Sequence, residues 1–330
     1  MEPTTTKRPR GRPPKNKQNI TTTPDLDKNN TKVMAPPKSA KNKKVIVLTG
    51  ATSGMGLKIL ESLAIEGHTI IAVGRNPSAC RDALQLARSF NSDANIAFLL
   101  ADLSVMSQVK TLASDIAQKL EKFGVNHIDV VYHSAGVMTQ NIQQTYEHHE
   151  TQWATNYLSV VLLTELLTPF LLRSKEPRVV VVTTKPNNKQ KLDFKEIQNP
   201  KNASKMYEYS KLADLMFAMQ FNEELKHTNI HAYAVYPGNV QTDLGAKHTK
   251  GFKNWLEKLK RKHAVSIADA VQTSLYLITA PKLPPTVVLY SNFRPLLPCD
   301  YALNPFNRER LWRATRTKLA LPETPNLKEN

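Results

Sequence analysis

Cysteine is nearly missing from this chain: Cys80 and Cys299 are the only two among 330 residues. Two thiols build no disulfide framework, which excludes a small cross-linked secreted scaffold and points to a reducing compartment. Long apolar runs are missing too. The longest, Leu158–Leu172, is interrupted by Thr164, Glu165 and Thr168, so it suits a buried helix better than a membrane span. Met1–Lys44 contains no apolar stretch of the kind a secretory signal needs, and a soluble protein without a transmembrane segment is expected. No metal site is expected either, because the paired His148-His149 is not joined by a wider ligand cluster.

What is present divides sharply. Hydrophobic residues make up 41% of the chain, enough for a core. The formal charge is +17, and residues 1–44 carry 12 Lys/Arg against 3 Asp/Glu. That segment is rich in Thr, Pro, Asn and Lys and cannot bury enough apolar surface to offset its ordering entropy, so a disordered basic tail is expected over 1–44. From Val45 onward short apolar strands alternate with amphipathic helices. The strand candidates are Val45–Thr49, Thr69–Val73, Ile96–Leu100, Val130–His133, Val179–Thr183, His231–Val235 and Thr286–Tyr290; helical patterns include Leu57–Glu66 and Ser104–Lys122. Strand–helix alternation with buried strands predicts an α/β fold, a doubly wound parallel sheet of Rossmann type, in one domain over 45–321 with a frayed end at 322–330.

Three stretches carry chemistry. The first strand is followed by Thr49-Gly50-Ala51-Thr52-Ser53-Gly54-Met55-Gly56, where glycines permit a tight turn and let a pyrophosphate approach N–H groups at a helix N-terminus. A glycine turn that only packs helix on strand is the bland alternative. The second strand ends at Gly74-Arg75-Asn76, with no acid to grip ribose hydroxyls. Arg75 can pair with a 2′-phosphate, or stand as a solvated surface arginine; the first predicts NADP(H). Tyr207-Glu208-Tyr209-Ser210-Lys211 places a phenol and an ammonium on one face of a helix predicted over Tyr207–Leu225. A phenol with pKa about 10 is a poor acid–base catalyst at neutral pH, and a nearby ammonium lowers that pKa.

The spacing Gly50-x-x-x-Gly54-x-Gly56, together with Tyr207-x-x-x-Lys211, Asn156, Thr184 and Pro237-Gly238-Asn239-Val240-Gln241-Thr242, resembles the short-chain dehydrogenase/reductase family in order and position. Within it, Ser210-Lys211-Leu212-Ala213 and Gln272-Thr273-Ser274-Leu275-Tyr276 look like the retinol-dehydrogenase-like branch. The resemblance implies a catalytic set of Asn156, Thr184, Tyr207 and Lys211. It implies cofactor contacts from Gly50, Thr52, Ser53, Gly54, Met55 and Gly56, then from Arg75, Asp102 and Leu103. Ser134, Ala135 and Gly136 follow, joined by Tyr207, Lys211, Pro237, Gly238, Val240 and Thr242. Asp102 would meet the adenine ring, or cap the helix beginning near Ser104. Two positions depart from the family's pattern: His133-Ser134 stands for a paired asparagine, and Thr184 for a serine. Both retain hydrogen-bonding groups, but His133-Ser134 alters support of the central sheet and cofactor contact.

Between Thr242 and Ile267 the chain carries Trp255, Leu256 and Leu259 at helical spacing among lysines, which fits a lid helix, or alternatively a basic membrane-surface or phosphate-binding helix. In the tail, Lys7-Arg8-Pro9-Arg10-Gly11-Arg12-Pro13-Pro14-Lys15 resembles an AT-hook. Arg10, Gly11 and Arg12 would lie in a narrow A·T minor groove; a nuclear-import signal is the alternative. The sequence thus predicts an NADP(H)-dependent oxidoreductase interconverting a carbonyl and an alcohol on a lipophilic molecule, nuclear and DNA-associated, with cytoplasm as the alternative location and a homodimer left open. The competing reading is a DNA-associated, dinucleotide-sensing binding protein with vestigial catalysis.

Overall fold

Alternating apolar positions along each strand put one row of side chains on either face of a single sheet. The computed structural model describes residues 43–240 and 265–322, all within one compact unit. Arg10, Gly11 and Arg12, the candidate lid around Trp255, Thr242, and the end from 323 lie outside the described residues. The strands are β1 (Val45–Thr49), β2 (Thr69–Gly74), β3 (Ile96–Leu100), β4 (Val130–His133), β5 (Arg178–Val182), β6 (His231–Val235), β7 (Leu289–Ser291) and β8 (Arg294–Pro295). Their order is β3-β2-β1-β4-β5-β6-β7-β8, parallel throughout except for the β7–β8 pair. The order reverses beside β1, which pairs with both β2 and β4. In such sheets that reversal opens a crevice at the strands' carboxyl ends.

The helices are α1 (Gly54–Ile65), α2 (Pro77–Phe90), α3 (Met106–Lys122), α4 (Thr151–Trp153), α5 (Ser159–Leu172), α6 (Phe194–Gln198), α7 (Ala203–Glu224), α8 (Ile267–Thr279), α9 (Asp300–Leu303) and α10 (Pro305–Leu319). One core sets Val45, Val47, Val131, Val179 and Val181 against α3, α5 and α7. The other sets Ile46, Leu48, Val180 and Tyr233 against α1 and α8. This is the doubly wound sheet the alternation predicts.

The Thr151–Leu172 stretch is the one helix among the described residues long and apolar enough to cross a membrane, and 78% of its apolar 18-residue window is buried inside the fold. Helix α10 packs chiefly on α7, where Trp312 stacks on Phe217 with ring centroids 6.2 Å apart, and it reaches this stretch through a Tyr157–Thr315 hydrogen bond of 2.8 Å and the interior pair Arg316–Glu165. Some boundaries differ from the pattern. The last long strand begins at Leu289 rather than Thr286, because Val287 N–H turns back to the Pro284 carbonyl. Helix α7 begins four residues before Tyr207, capped where the Asn202 side chain accepts from Lys205 N–H at 3.1 Å.

Candidate functional site

The glycine turn is built from backbone. Gly50 has φ +70°, and a Cβ there would stand 2.6 Å from the Ala135 nitrogen; Ala135 N–H itself donates to Thr49 Oγ1 at 3.2 Å. The turn after β1 is thereby pressed against the loop after β4. Gly56 is needed for another reason: a Cβ would lie 2.1 Å from the Gly50 carbonyl oxygen, so only glycine lets α1 start this close to the strand. Ser53, extended at φ −161°, precedes α1 without capping it through its side chain. The first-turn N–H groups at Gly54, Met55 and Gly56 have no intrahelical acceptors and can take an anion. That donor set fits a pyrophosphate.

At the end of β2, Arg75 Nη1 lies 3.7 Å from Asp102 Oδ2, with both groups open to solvent. Asp102 does not cap a helix. Its Oδ1 accepts from Ser104 N–H at 2.9 Å in a local turn, α3 begins at Met106, and Glu147 receives the N–H groups of Met106 and Ser107 at 2.5 and 3.0 Å. Leu103 is buried beside this turn. Across the crevice, Gly238 has φ +89°, and Val240 forms a parallel bridge with Val265. Pro237 lies in the same loop, directly after β6.

The catalytic candidates converge between β5 and α7. Lys211 Nζ donates to the Val182 carbonyl and to Asp214 Oδ2, each at 2.9 Å. Thr183 donates to the Lys211 carbonyl at 2.6 Å, and the next residue, Thr184, is half-buried with no hydrogen bond of its hydroxyl among the described residues. Burial pushes the Tyr207 phenol above its usual value, Lys211 opposes that, and Asp214 reinforces it. Asn156 sits in a π-helical turn, Ala154–Leu158, between α4 and α5. Such turns commonly mark functional positions. Its Oδ1 accepts from Val137 N–H at 2.7 Å, and its Nδ2 donates to the Val137 carbonyl and Ser210 Oγ, both at 3.0 Å. Gly136 keeps the adjoining space clear: a Cβ there would lie 3.5 Å from Asn156 Oδ1 and 3.9 Å from Lys211 Nζ.

His133 turns away from the crevice. Its Nε2 shares a hydrogen bond of 2.9 Å with Thr164 on α5, and burial, aided by Lys211, pushes its pKa down to about 3, so it is neutral. Ser134 follows it, half-buried at the crevice. Asp214 was missed in the sequence, although its position three residues after Lys211 on a helix is the signal for an ion pair. A cavity of about 280 Å³ under α10, lined by His149, Trp153, Phe194 and Lys318, contains none of the predicted catalytic or dinucleotide-contact residues. No three metal-ligating side chains cluster among the described residues.

The chain resembles known proteins in sequence and in fold. The family model for short chain dehydrogenase matches residues 44–252. Dehydrogenase/reductase SDR family member 13 of Bos taurus is 29% identical over 70% of this chain, but the match spans only 60% of that protein. Retinol dehydrogenase 12 of Mus musculus is 28% identical, over 82% of this chain and 85% of its own. Among solved structures, an uncharacterised protein of Mycobacterium paratuberculosis superposes with TM-score 0.66 at 23% identity, covering 86% of this chain and 96% of its own. The family match spans most of the sheet and the whole crevice, and the chain belongs to the short chain dehydrogenase family.

Proposed function

We propose that this protein is an NADP(H)-dependent reductase and dehydrogenase that interconverts a carbonyl and an alcohol on a lipophilic small molecule of retinoid, steroid or aldehyde type. The reading is supported by Lys211, which lies beside the end of β5, faces Asn156 across Gly136 and is electrostatically coupled to Tyr207; Thr184 follows directly after β5. The retinol dehydrogenases among the relatives support a lipophilic substrate. Arg75, a cation where an acid would favour NAD, supports NADP(H).

Bound NADP(H) supplies or takes up the hydride. The turn at Gly50, Thr52, Ser53, Gly54, Met55 and Gly56 would hold its pyrophosphate, Arg75 the 2′-phosphate, and Asp102 with Leu103 the adenine. Ser134, Ala135 and Gly136 on one side, and Pro237, Gly238, Val240 and Thr242 on the other, would line its nicotinamide half. In reduction, Tyr207 gives its hydroxyl proton to the carbonyl oxygen while Thr184 donates a hydrogen bond to the same atom. Lys211 stabilises the phenolate that results, and Asn156 holds the Val137 backbone beside the path along which a proton returns.

The test is a screen of the purified protein with NADPH against aldehydes and ketones. Turnover is expected with at least one apolar carbonyl, and Tyr207→Phe should abolish it while NADPH still binds. Turnover that persists in that variant rules out Tyr207 as the donor. Absence of turnover with intact NADPH binding favours the second reading, a dinucleotide-sensing protein, which the inward-turned His133 supports.

The tail adds a separate proposal: Arg10, Gly11 and Arg12 read A·T-rich DNA through the minor groove, and the protein is nuclear. Full-length protein should prefer A·T over G·C duplexes modestly and lose affinity as salt rises. Arg10→Ala with Arg12→Ala should erase the preference. Equal A·T binding by a chain starting at Lys44 would sink the idea.

A further inference from the structure

Asp214 holds the lysine that the reductase reading needs, and that reading gives it no role. It accepts from Lys211 Nζ at 2.9 Å, and its side chain is 1% exposed. Its second oxygen, Oδ1, is buried without a hydrogen-bond partner. A carboxylate in that setting is costly, and anchoring a lysine does not require one, since an amide oxygen could accept the same bond. What an amide could not supply is negative charge. Tyr207, Lys211 and Asp214 stand at i, i+4 and i+7 of α7, which places all three on one face.

We propose that Asp214 is a positioning residue for the acid–base pair: its carboxylate fixes Lys211 against β5 and offsets the ammonium's charge, so that Lys211 lowers the Tyr207 phenol less than an unopposed ammonium would. This rests on the reading of Tyr207 as proton donor. The neighbouring groups leave Asp214 as the main counterweight. His133 on β4 is neutral, and Tyr157, in the π turn, is kept protonated by burial, its hydroxyl engaged with Thr315. Burial and Asp214 both raise the Tyr207 phenol, while Lys211 lowers it. Burial also raises Asp214 itself, with Lys211 holding it down.

The decisive measurement is the titration of Tyr207 in the full chain labelled with 13Cζ-tyrosine, its resonance assigned by its loss in Tyr207→Phe. In Asp214→Asn the ammonium is unopposed, and the Tyr207 midpoint should fall by about one pH unit, a tenfold change in the proton-binding constant. Asp214→Ser removes the same charge with a smaller side chain, and should shift the midpoint in the same direction. The acid limb of kcat/KM for alcohol oxidation should move with it. A midpoint unmoved or raised in either folded variant overturns the proposal, since a merely structural aspartate would lower the melting temperature and leave the titration alone. The resonance titrates whether or not any substrate turns over. A failed substrate screen therefore counts against the reductase reading, and an unmoved midpoint against Asp214.

Discussion

Arg75 and Asp102 meet at 3.7 Å with side chains 68% and 32% exposed, whereas Lys211 and Asp214 meet at 2.9 Å with 8% and 1% exposed. The two pairs stand at the two ends of one crevice and are built for different work. Water screens the first, so each partner can be recruited by a ligand at small cost to the fold. Desolvation binds the partners of the second to each other, and neither can be removed without leaving the other charge stranded. The proposed cofactor end is thus assembled from backbone and replaceable surface charge, and the proposed reacting end is part of the core.

The largest effect that contrast predicts is on stability. Lys211→Ala leaves Asp214 buried and uncompensated and should destabilise the fold by about 3–5 kcal/mol in denaturant titration. A loss below about 1 kcal/mol would erase the distinction between the pairs. Next comes cofactor affinity: Arg75→Asp should weaken NADPH binding by about 1.5–3 kcal/mol and turn the preference toward NADH, read by calorimetry. Equal affinities of the unaltered protein for NADPH and NADH would remove Arg75 from the site.

A third test uses His133, whose pKa in the fold lies near 3, far below that of an exposed histidine. The unfolded chain binds the extra proton, so this contribution to stability is complete above about pH 6.5 and declines as pH falls from there toward 3, at about 1.4 kcal/mol per unit. His133→Asn should flatten the dependence of melting temperature on pH between 7 and 5; an unchanged slope would place the acid sensitivity elsewhere. The smallest effect closes the series. Arg75→Ala should change unfolding free energy by under about 1 kcal/mol, because its ion pair is exposed.

The sheet was legible because its signal is local. Each of β1–β7 shows as a short apolar run, whereas the two-residue β8, Arg294–Pro295, does not; Gly50 and Gly56 are visible as glycines even before one knows that a Cβ would strike Ala135 or the Gly50 carbonyl. Tyr207 and Lys211 were legible through helical spacing. Asp214 was not read, since i+3 beside a lysine describes many solvated surface pairs, and only burial separates this one from them. For Asp102 a helix cap is the alternative that position offers beside an adenine contact. The first N–H groups of α3 are instead taken by Glu147, some forty residues along the chain, and no pattern in the sequence joins it to the start of α3. His133 could be named as a departure, but its turn toward Thr164 depends on packing between β4 and α5.

The hydrogen bond between Tyr157 and Thr315 joins residues 158 apart in the chain. At a synthesis rate of ~5–20 residues per second, about 8–30 seconds separate the two partners on the ribosome. Through that interval Tyr157 lacks Thr315, and Phe217, although Phe221 is already beside it, lacks the ring of Trp312. The nascent protein is therefore expected to pass through a stage in which the face of α7 that Trp312 will cover lacks that partner. The core around Tyr157, Phe217 and Glu165 is complete only when α10 docks.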